Sequence, residues 1–460
     1  MDSDTTVEIR SPYDDALIGA VHETTTEGVD EALARAEAAK PAMAGLTAHR
    51  RGAILDKTSA LLAAQVDEIA RLMTAESGKP MRYARGEVRR AVETFQFAAD
   101  EARRLHGETV PLDAAQTGAG KIGYFLRVPV GIVAAITPFN FPLNLVAHKV
   151  APAIAAGCPL LVKPNPQTPL TAMRLAELLA EAGLPEGALS VLIGGADVGR
   201  QMTSDPRVSM VTFTGSVPVA NAIAKTVGLR RATYELGGNA ATIIDETSDI
   251  DSLIEKTVGG AFAYSGQVCI SIQRIYVQRA KFDEFRDKFV ARTERLILGD
   301  PLDDRTEIGP LINDAAAERI DSWLVEATSG GAELLAGGTR EGRMFKPTVL
   351  GDVAPHMKVV CEEVFGPVVS ITPYDTFDDA LDMVNDSPFG LQTGVFTRDL
   401  NRALHAVQKL DVGGVIINDS PTFRVDQMPY GGNKLSGVGR EGPRFAVEDM
   451  TTLKMVVISP

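Results

Sequence analysis

Three short segments place reactive side chains beside residues that let backbone come close. In Tyr264-Ser265-Gly266-Gln267-Val268-Cys269-Ile270 a cysteine follows a glycine and a glutamine. A cysteine in apolar surroundings is usually an inert small hydrophobe; as a thiolate it is a strong nucleophile, and the residues before it bring amides near the sulfur. In Tyr234-Glu235-Leu236-Gly237-Gly238-Asn239 a carboxylate closes a β-rich run ahead of two glycines. A salt-bridged or solvated glutamate is the plain reading. A base in a cleft is the chemical one, because α/β sites form at strand ends. In Thr137-Pro138-Phe139-Asn140-Phe141-Pro142-Leu143-Asn144 an asparagine stands between two aromatic residues and two prolines. Asparagine commonly serves turns; in a rigid loop its amide N–H can aim at a developing oxyanion.

Other chemistry-bearing patterns are weaker. The six histidines, at 22, 49, 106, 148, 356 and 405, form no close pair, so no metal is expected. Gly118-Ala119-Gly120-Lys121-Ile122-Gly123 matches G-x-G-x-x-G, but it follows a polar stretch and precedes a strand-like run. The dinucleotide fingerprint needs the reverse, and a hairpin turn is the better reading. Cys158, Cys269 and Cys361 are an odd number without a C-x-x-C pair, which fits a reducing, cytoplasmic compartment better than a disulfide framework. With 46 Lys and Arg against 60 Asp and Glu, the formal charge is −14. Such a balance repels phosphate backbones and anionic membranes, so neither nucleic acid nor membrane is an expected partner. The stretch MDSDTTVEIRSP has no basic n-region and no apolar h-region, and no signal peptide is expected. Residues 128–147 carry no charge over twenty positions, the length of a membrane span. Pro129, Pro138, Pro142, Asn140 and Asn144 make a lipid-facing helix costly there; a buried strand followed by a polar-lined loop is expected instead.

The elements that must position these groups follow from periodicity. With 460 residues, 45% hydrophobic and 23% charged, the chain is globular and long enough for two to three domains. The first hundred residues read mostly as helix: 29–44 and 51–73 show helical apolar spacing, Gly78-Lys79-Pro80 stops the second, and a third runs from 87 to 105. Strands alternate with helices after that, at 131–136, 159–162, 189–193, 208–213, 233–236 and 241–244. Thr168 and Pro169 are the expected cap and first residue of a helix that Gly183 ends. This alternation predicts a parallel, doubly wound sheet with its ligand at the carboxyl ends of the strands. A second α/β segment spans 237–439, with 359–374 and 394–397 strand-like. The β-rich runs 125–130 and 451–458 would be liabilities as free edges, and both are expected at an oligomer interface.

Together these segments resemble the aldehyde dehydrogenase superfamily over essentially the whole chain. TPFNFPLN, LVKPNPQTP, FTGS, ELGGN, GQVC, EEVFGP and MPYGGNKLSGVGREG carry the resemblance, in order, with Glu235 preceding Cys269 by the expected 34 residues. Through PFNFPLN, GQVCIS and GGVIINDS the chain is most similar to lactaldehyde dehydrogenases of archaeal type. Non-phosphorylating glyceraldehyde-3-phosphate and phosphonoacetaldehyde dehydrogenases are related branches. The resemblance implies an α/β fold with a Rossmann-type coenzyme domain (1–115 and 130–236), an α/β catalytic domain (237–443) and a small β oligomerisation arm (116–129 and 444–460). A homodimer or homotetramer is implied.

It also implies roles. Cys269 attacks an aldehyde as a thiolate; the Asn140 side chain and the Cys269 backbone N–H hold the oxyanion; Glu235 activates water against the thioester; Lys149 sits near the base and orients it. NAD or NADP is the cofactor. Lys163 meets the adenosine ribose or a 2′-phosphate, Gly215 and Ser216 open a helix facing the pyrophosphate, Glu363 binds the nicotinamide ribose with Phe365 beside it, and Thr137 and Pro138 line the same site. Two departures bear on the cofactor. Pro166 stands where NAD-preferring members often carry a ribose-binding glutamate, which removes repulsion against a 2′-phosphate without excluding NAD. Ala220 stands where the family often has glycine.

For the substrate, Arg90 and Arg424 match two of the arginines that the related branches use for an anionic tail, Val268 stands in place of a third, and Phe141 stands as the aromatic or histidine partner after the catalytic asparagine. The anion pocket is half present, and guanidinium groups suit carboxylate and phosphate. A short hydroxyaldehyde such as lactaldehyde, or a small aldehyde with an acidic tail, is the expected range. Two rival readings predict no cofactor reduction. A cofactor-independent cysteine hydrolase or acyltransferase needs a histidine beside Cys269, and an inactive structural relative would lack Cys269, Glu235 or Asn140.

Overall fold

Apolar runs rich in valine and isoleucine build the central sheets. Ile132–Ile136, Leu160–Lys163 and Val208–Thr214 are shielded on both faces, and such strands pair in parallel beneath covering helices. In the computed structural model, which describes residues 5–459, they lie in a six-stranded sheet. Its order is Gly437–Val438, Arg231–Glu235, Val208–Thr214, Ile132–Ile136, Leu160–Lys163, Leu189–Val191. All pairs are parallel except the short Gly437–Val438 edge. Chain order reverses between Ile132–Ile136 and Val208–Thr214. Their carboxyl ends therefore open a crevice with Thr137 on one side and Gly215 on the other, the usual ligand position in such sheets. Side chains alternate across the sheet: Val133 and Ala135 pack into one apolar cluster, Ile132 and Ala134 into another.

A seven-stranded sheet follows, ordered Glu333–Ala336, Thr348–Gly351, Val368–Tyr374, Arg274–Gln278, Ala241–Ile244, Gln392–Phe396, Gly414–Ile417. Only Glu333–Ala336 is antiparallel. The tail Thr451–Ile458 pairs along its length with Ile122–Pro129, from Thr451 opposite Pro129 to Ile458 opposite Ile122, and Glu108–Val110 completes a three-stranded antiparallel sheet. The fold is α/β.

Local differences from the sequence reading have local causes. The chain opens with a hairpin, Thr6–Arg10 against Leu17–His22, ahead of the helices; residues 1–4 of the polar N-terminal stretch lie outside the described residues. The expected helix 51–73 is two, Ala48–Ala64 and Val66–Ser77, broken at Gln65 (φ −123°). The third begins earlier, as Met81–Arg104 directly after Pro80. The helix Leu170–Ala182 is not capped by Thr168. Pro169 is the N-cap, and the buried Glu76 carboxylate accepts from Leu170 N (2.8 Å) and Thr171 N (3.0 Å). The expected strand 359–374 begins only at Val368. Before it lie a short helix, Lys358–Cys361, and an irregular loop in which Phe365 has φ +47°. Residues 128–147 form the end of one strand, the buried strand Ile132–Ile136 and a loop entering Asn144–Ala156, a helix buried on every side. Among the described residues no helix is long and apolar enough to cross a membrane. The G-x-G-x-x-G segment is a turn leading into Ile122–Pro129, with Gly120 at φ +78°.

Candidate active site

The cysteine loop is held by an unusual backbone. Tyr264, Ser265 and Gly266 are all left-handed, at φ +49°, +56° and +69°, a conformation that persists only where surroundings over-determine it. They do so here. Tyr264 Oη donates to Ser77 O (2.9 Å) and Ser265 Oγ to Gly309 O (2.7 Å). Gln267 donates through Nε2 to Pro310 O (3.3 Å) and accepts from Ile312 N (2.9 Å). At Gly266 a Cβ would lie 2.1 Å from Gly366 O, so this loop and the Glu363–Phe365 loop meet backbone to backbone.

Asn140 reaches the same loop. It is buried, and its Nδ2 donates to Gln267 O at 2.9 Å, two residues before the cysteine. One amide hydrogen remains, and Oδ1 has no partner among the described residues. Cys269 itself faces Tyr430, with Sγ 2.9 Å from Oη. Desolvation pushes the thiol up to about 11, against the Tyr430 hydrogen bond and Arg424, which lower it.

Glu235 ends its strand in a buried position, and neither carboxylate oxygen has a partner among the described residues. Burial, and then the neighbouring Glu441 charge, raise it well above the ordinary carboxylate range. Gly431, beside Tyr430, comes so close that a Cβ would sit 2.8 Å from Glu235 Oε1. The 428–442 segment thus touches both the sulfur and the carboxyl. Lys149 lies near enough to Glu235 to act on its charge, but its hydrogen bonds go elsewhere. Its Nζ donates to Glu441 (2.9 Å) and Thr212 (3.1 Å). Burial alone would raise Glu441, but Lys149, then His148 and Arg424, hold it far below its usual value.

The two arginines meet in one buried network. Arg90 forks onto Asp426 (2.7 and 3.1 Å), which also pairs with His148 Nε2 (2.8 Å) and Asn144 Nδ2 (3.0 Å). Arg424 Nη2 lies 3.2 Å from His148 Nε2 and 3.1 Å from Glu441, and its guanidinium stacks 3.6 Å from the Tyr430 ring centroid. Its Nε is buried without a partner among the described residues. Both cations are thus already matched by carboxylates, and Arg424 Nε keeps buried donor capacity that no described residue uses. Phe141 is a platform: Lys79 Nζ lies 3.9 Å from its ring, and Lys79 is ion-paired with the buried Glu87 that caps the helix start at Leu143 and Asn144. Tyr430, Glu441, Asp426 and His148 had no role in the sequence reading. Tyr430 and Glu441 lie inside MPYGGNKLSGVGREG, so their signal was in hand; nothing in the sequence joined Asp426 or His148 to the site.

The crevice at the sheet reversal fits a dinucleotide. Thr137 Oγ1 is buried without a partner among the described residues, next to Pro138. Lys163 is buried at its strand end, desolvation lowers it, and Glu23 is the counter-charge opposing that. Gly215 N donates to Glu235 O (3.0 Å), and Ser216 caps Val217–Val227 without a side-chain bond, so first-turn N–H groups stay available to an anion. Glu363 accepts from Gly238 N (3.1 Å); burial pushes it up to about 7. The Phe365 ring stands edge-on to Phe139, centroids 5.8 Å apart, which joins the Glu363–Phe365 loop to the asparagine loop.

Comparison with known proteins follows the same outline. The sequence matches the Aldehyde dehydrogenase family over residues 1–456. A 3-sulfolactaldehyde dehydrogenase of Priestia aryabhattai is 43% identical over 98% of this chain and 95% of its own length. An aldehyde dehydrogenase from Physcomitrella patens, solved with the reaction product succinate, superposes with a TM-score of 0.97 at 43% identity, covering 100% of this chain and 96% of that one. A glyceraldehyde-3-phosphate dehydrogenase from Methanocaldococcus jannaschii, solved with NADP, gives 0.95 at 35% identity, covering all of both chains.

Proposed function

The chain belongs to the aldehyde dehydrogenase family, and from that premise we propose that it oxidises a small aldehyde with an acidic tail through a thioester on Cys269. It is an NAD(P)-dependent aldehyde dehydrogenase. The observation that carries the proposal is the tie from Asn140 Nδ2 to Gln267 O, which sets an amide and the cysteine loop around one point. The thiol loses its proton, for which the unpaired Glu235 carboxylate has acceptor capacity, and Sγ attacks the carbonyl carbon. The remaining Asn140 amide hydrogen and the Cys269 N–H receive the oxyanion. When bound, NAD(P)+ supplies the acceptor for the substrate hydride, held by Lys163, the Ser216 helix start, Glu363 and the Thr137–Pro138 turn. Glu235 passes the thiol proton on to solvent and then takes a proton from water, whose oxygen attacks the thioester carbonyl, and the Cys269 sulfur leaves as thiolate.

An acidic tail is favoured because Arg424 Nε is buried with no partner among the described residues, a cost that an anion would relieve. Succinate and sulfolactaldehyde, named with the relatives, carry such tails; lactaldehyde does not. Pro166 leaves room for a 2′-phosphate, so NADP is accepted alongside NAD. The exposed Leu453, Met455, Val457 and Ile458 on an unpaired strand edge, with Gly414–Ile417 as a second free edge, favour a dimer or tetramer of this chain. We assign 1–115 with 130–236 to a coenzyme domain, 237–443 to a catalytic domain, and 116–129 with 444–460 to an oligomerisation arm.

The test is a panel of sulfonate-, carboxylate- and hydroxyl-bearing short aldehydes, each with NAD and NADP, followed by reduced-nicotinamide absorbance. Acid-tailed aldehydes are expected to lead in kcat/KM, and Cys269→Ala to abolish turnover while cofactor binding survives. Turnover in that variant, or a preference for neutral aldehydes, refutes the corresponding half.

A further inference from the structure

The sulfur of Cys269 has a tyrosine hydroxyl for a neighbour, and that tyrosine is unusually well fixed. Tyr430 is 3% exposed, its Oη lies 2.9 Å from Sγ, and the Arg424 guanidinium sits 3.6 Å from its ring centroid. Arg424 in turn is anchored by Glu441 and His148, on the C-terminal segment and on the helix Asn144–Ala156. We propose that Tyr430 is the hydrogen-bond donor that holds Cys269 Sγ and stabilises it as the thiolate, with Arg424 supporting the donor through its ring face.

The inference rests on Cys269 being the nucleophile, and it deepens that reading. A thiol both donates and accepts, whereas a thiolate only accepts. While the proton is on sulfur the pair has two arrangements; once it leaves, one remains, with O–H pointing at S⁻. Charge-assisted hydrogen bonds are roughly twice as strong as neutral ones, so the contact strengthens on ionisation and favours it. A cation against the ring face is attracted by the ring and adds positive potential near the sulfur. Both effects are needed, because Glu363 and Glu235 also face Cys269 and oppose a negative sulfur, while Arg424 favours it. The groups facing the Tyr430 hydroxyl are Cys269, Arg424 and Glu235.

The experiment is the alkylation rate of Cys269 with iodoacetamide across pH, in the full-length protein and in Tyr430→Phe. Each is corrected with a matching Cys269→Ala background for Cys158 and Cys361. Phenylalanine keeps the ring and the Arg424 stack and removes only the hydroxyl. The rate at pH 8 is expected to fall roughly tenfold or more, with the inflection moved up by about one unit or more, the size of one charge-assisted hydrogen bond. An unchanged profile overturns the proposal, as does a slower rate at an unshifted inflection, which would make Tyr430 a packing residue. Should Tyr430→Phe fail to fold, 3-fluorotyrosine at position 430, a stronger donor of nearly the same size, is expected to move the inflection down; no movement overturns the proposal. Alkylation needs no turnover, so this outcome is separate from the Cys269→Ala test of the nucleophile itself.

Discussion

Replacing Asn140 by alanine tests the oxyanion arrangement and separates it from the scaffold. The side chain is 3% exposed and spends one amide hydrogen on Gln267 O at 2.9 Å. The second is the one assigned to the oxyanion. Loss of such a donor costs about 2.7–4 kcal/mol of transition-state stabilisation, a fall of about 10²–10³ in kcat. Loss of the first hydrogen leaves a buried carbonyl unsatisfied, at about 1–3 kcal/mol of stability. Asn140→Ala should therefore show both: a kcat drop of two to three decades, read by reduced-nicotinamide absorbance under saturating cofactor, and a lowered thermal midpoint. Iodoacetamide alkylation of Cys269 should change little, because the amide acts on an oxygen that exists only after attack. A folded Asn140→Ala protein that keeps kcat within tenfold of the parent refutes the assignment. So does one whose activity loss is fully matched by loss of thiol reactivity, because the amide would then serve only to shape the loop.

Two more perturbations probe the base and the loop. Glu235 is raised well above its ordinary 4.5 by desolvation and Glu441, so its proton-accepting form grows as pH climbs through that raised value. Deacylation should rise with pH accordingly, and Glu235→Gln should flatten the profile and slow the step by about 10²–10⁴. The stability sign follows: the folded state favours the neutral acid, a contribution present below about 4.5 and lost as pH rises toward the folded value. The thermal midpoint of Glu235→Gln should therefore gain on the parent between mildly acidic and alkaline pH, and a constant difference would contradict the burial argument. At Gly266, an alanine Cβ would meet Gly366 O at 2.1 Å with φ at +69°. Gly266→Ala should abolish activity and sharply lower the midpoint, whereas Gly342→Ala, at φ +56° with nothing within 4 Å, should cost only about 1–2 kcal/mol. Equal effects of the two in denaturant melts would show that the meeting of the two loops is unimportant.

The sequence made some of this legible and hid the rest for identifiable reasons. The three central strands of the first sheet, Ile132–Ile136, Leu160–Lys163 and Val208–Thr214, announce themselves as largely apolar runs, because burial on both faces favours apolar side chains. Cys269, Glu235 and Asn140 stand out because each is a polar or reactive group wedged among glycines, aromatics and prolines. The partners of those groups were not legible. Lys149 is bonded across 292 positions to Glu441, and Arg90 across 336 positions to Asp426; no periodicity reports such pairings. The Glu76 cap was missed for the same reason. Thr168-Pro169 looks like a self-sufficient helix start, yet the donors it leaves are taken by a carboxylate 94 positions upstream of Leu170.

These long-range pairings also explain how one site keeps two carboxyl groups in opposite states. Glu235 and Glu441 are both buried and each feels the other. Two equivalent carboxylates so placed would share the penalty. The fold instead gives Lys149, His148 and Arg424 to Glu441 and leaves Glu235 with no hydrogen-bond partner among the described residues. One is thereby fixed as an anion and the other pushed toward neutrality, the separation that lets an acid and a base coexist at one pH. Glu441 then has two consequences. Its charge raises Glu235 toward the pH at which it can both hold and release a proton, and it anchors the arginine whose face supports Tyr430. A substitution at Glu441 should therefore shift the Glu235 acidity and loosen the arginine that backs Tyr430 in the same variant.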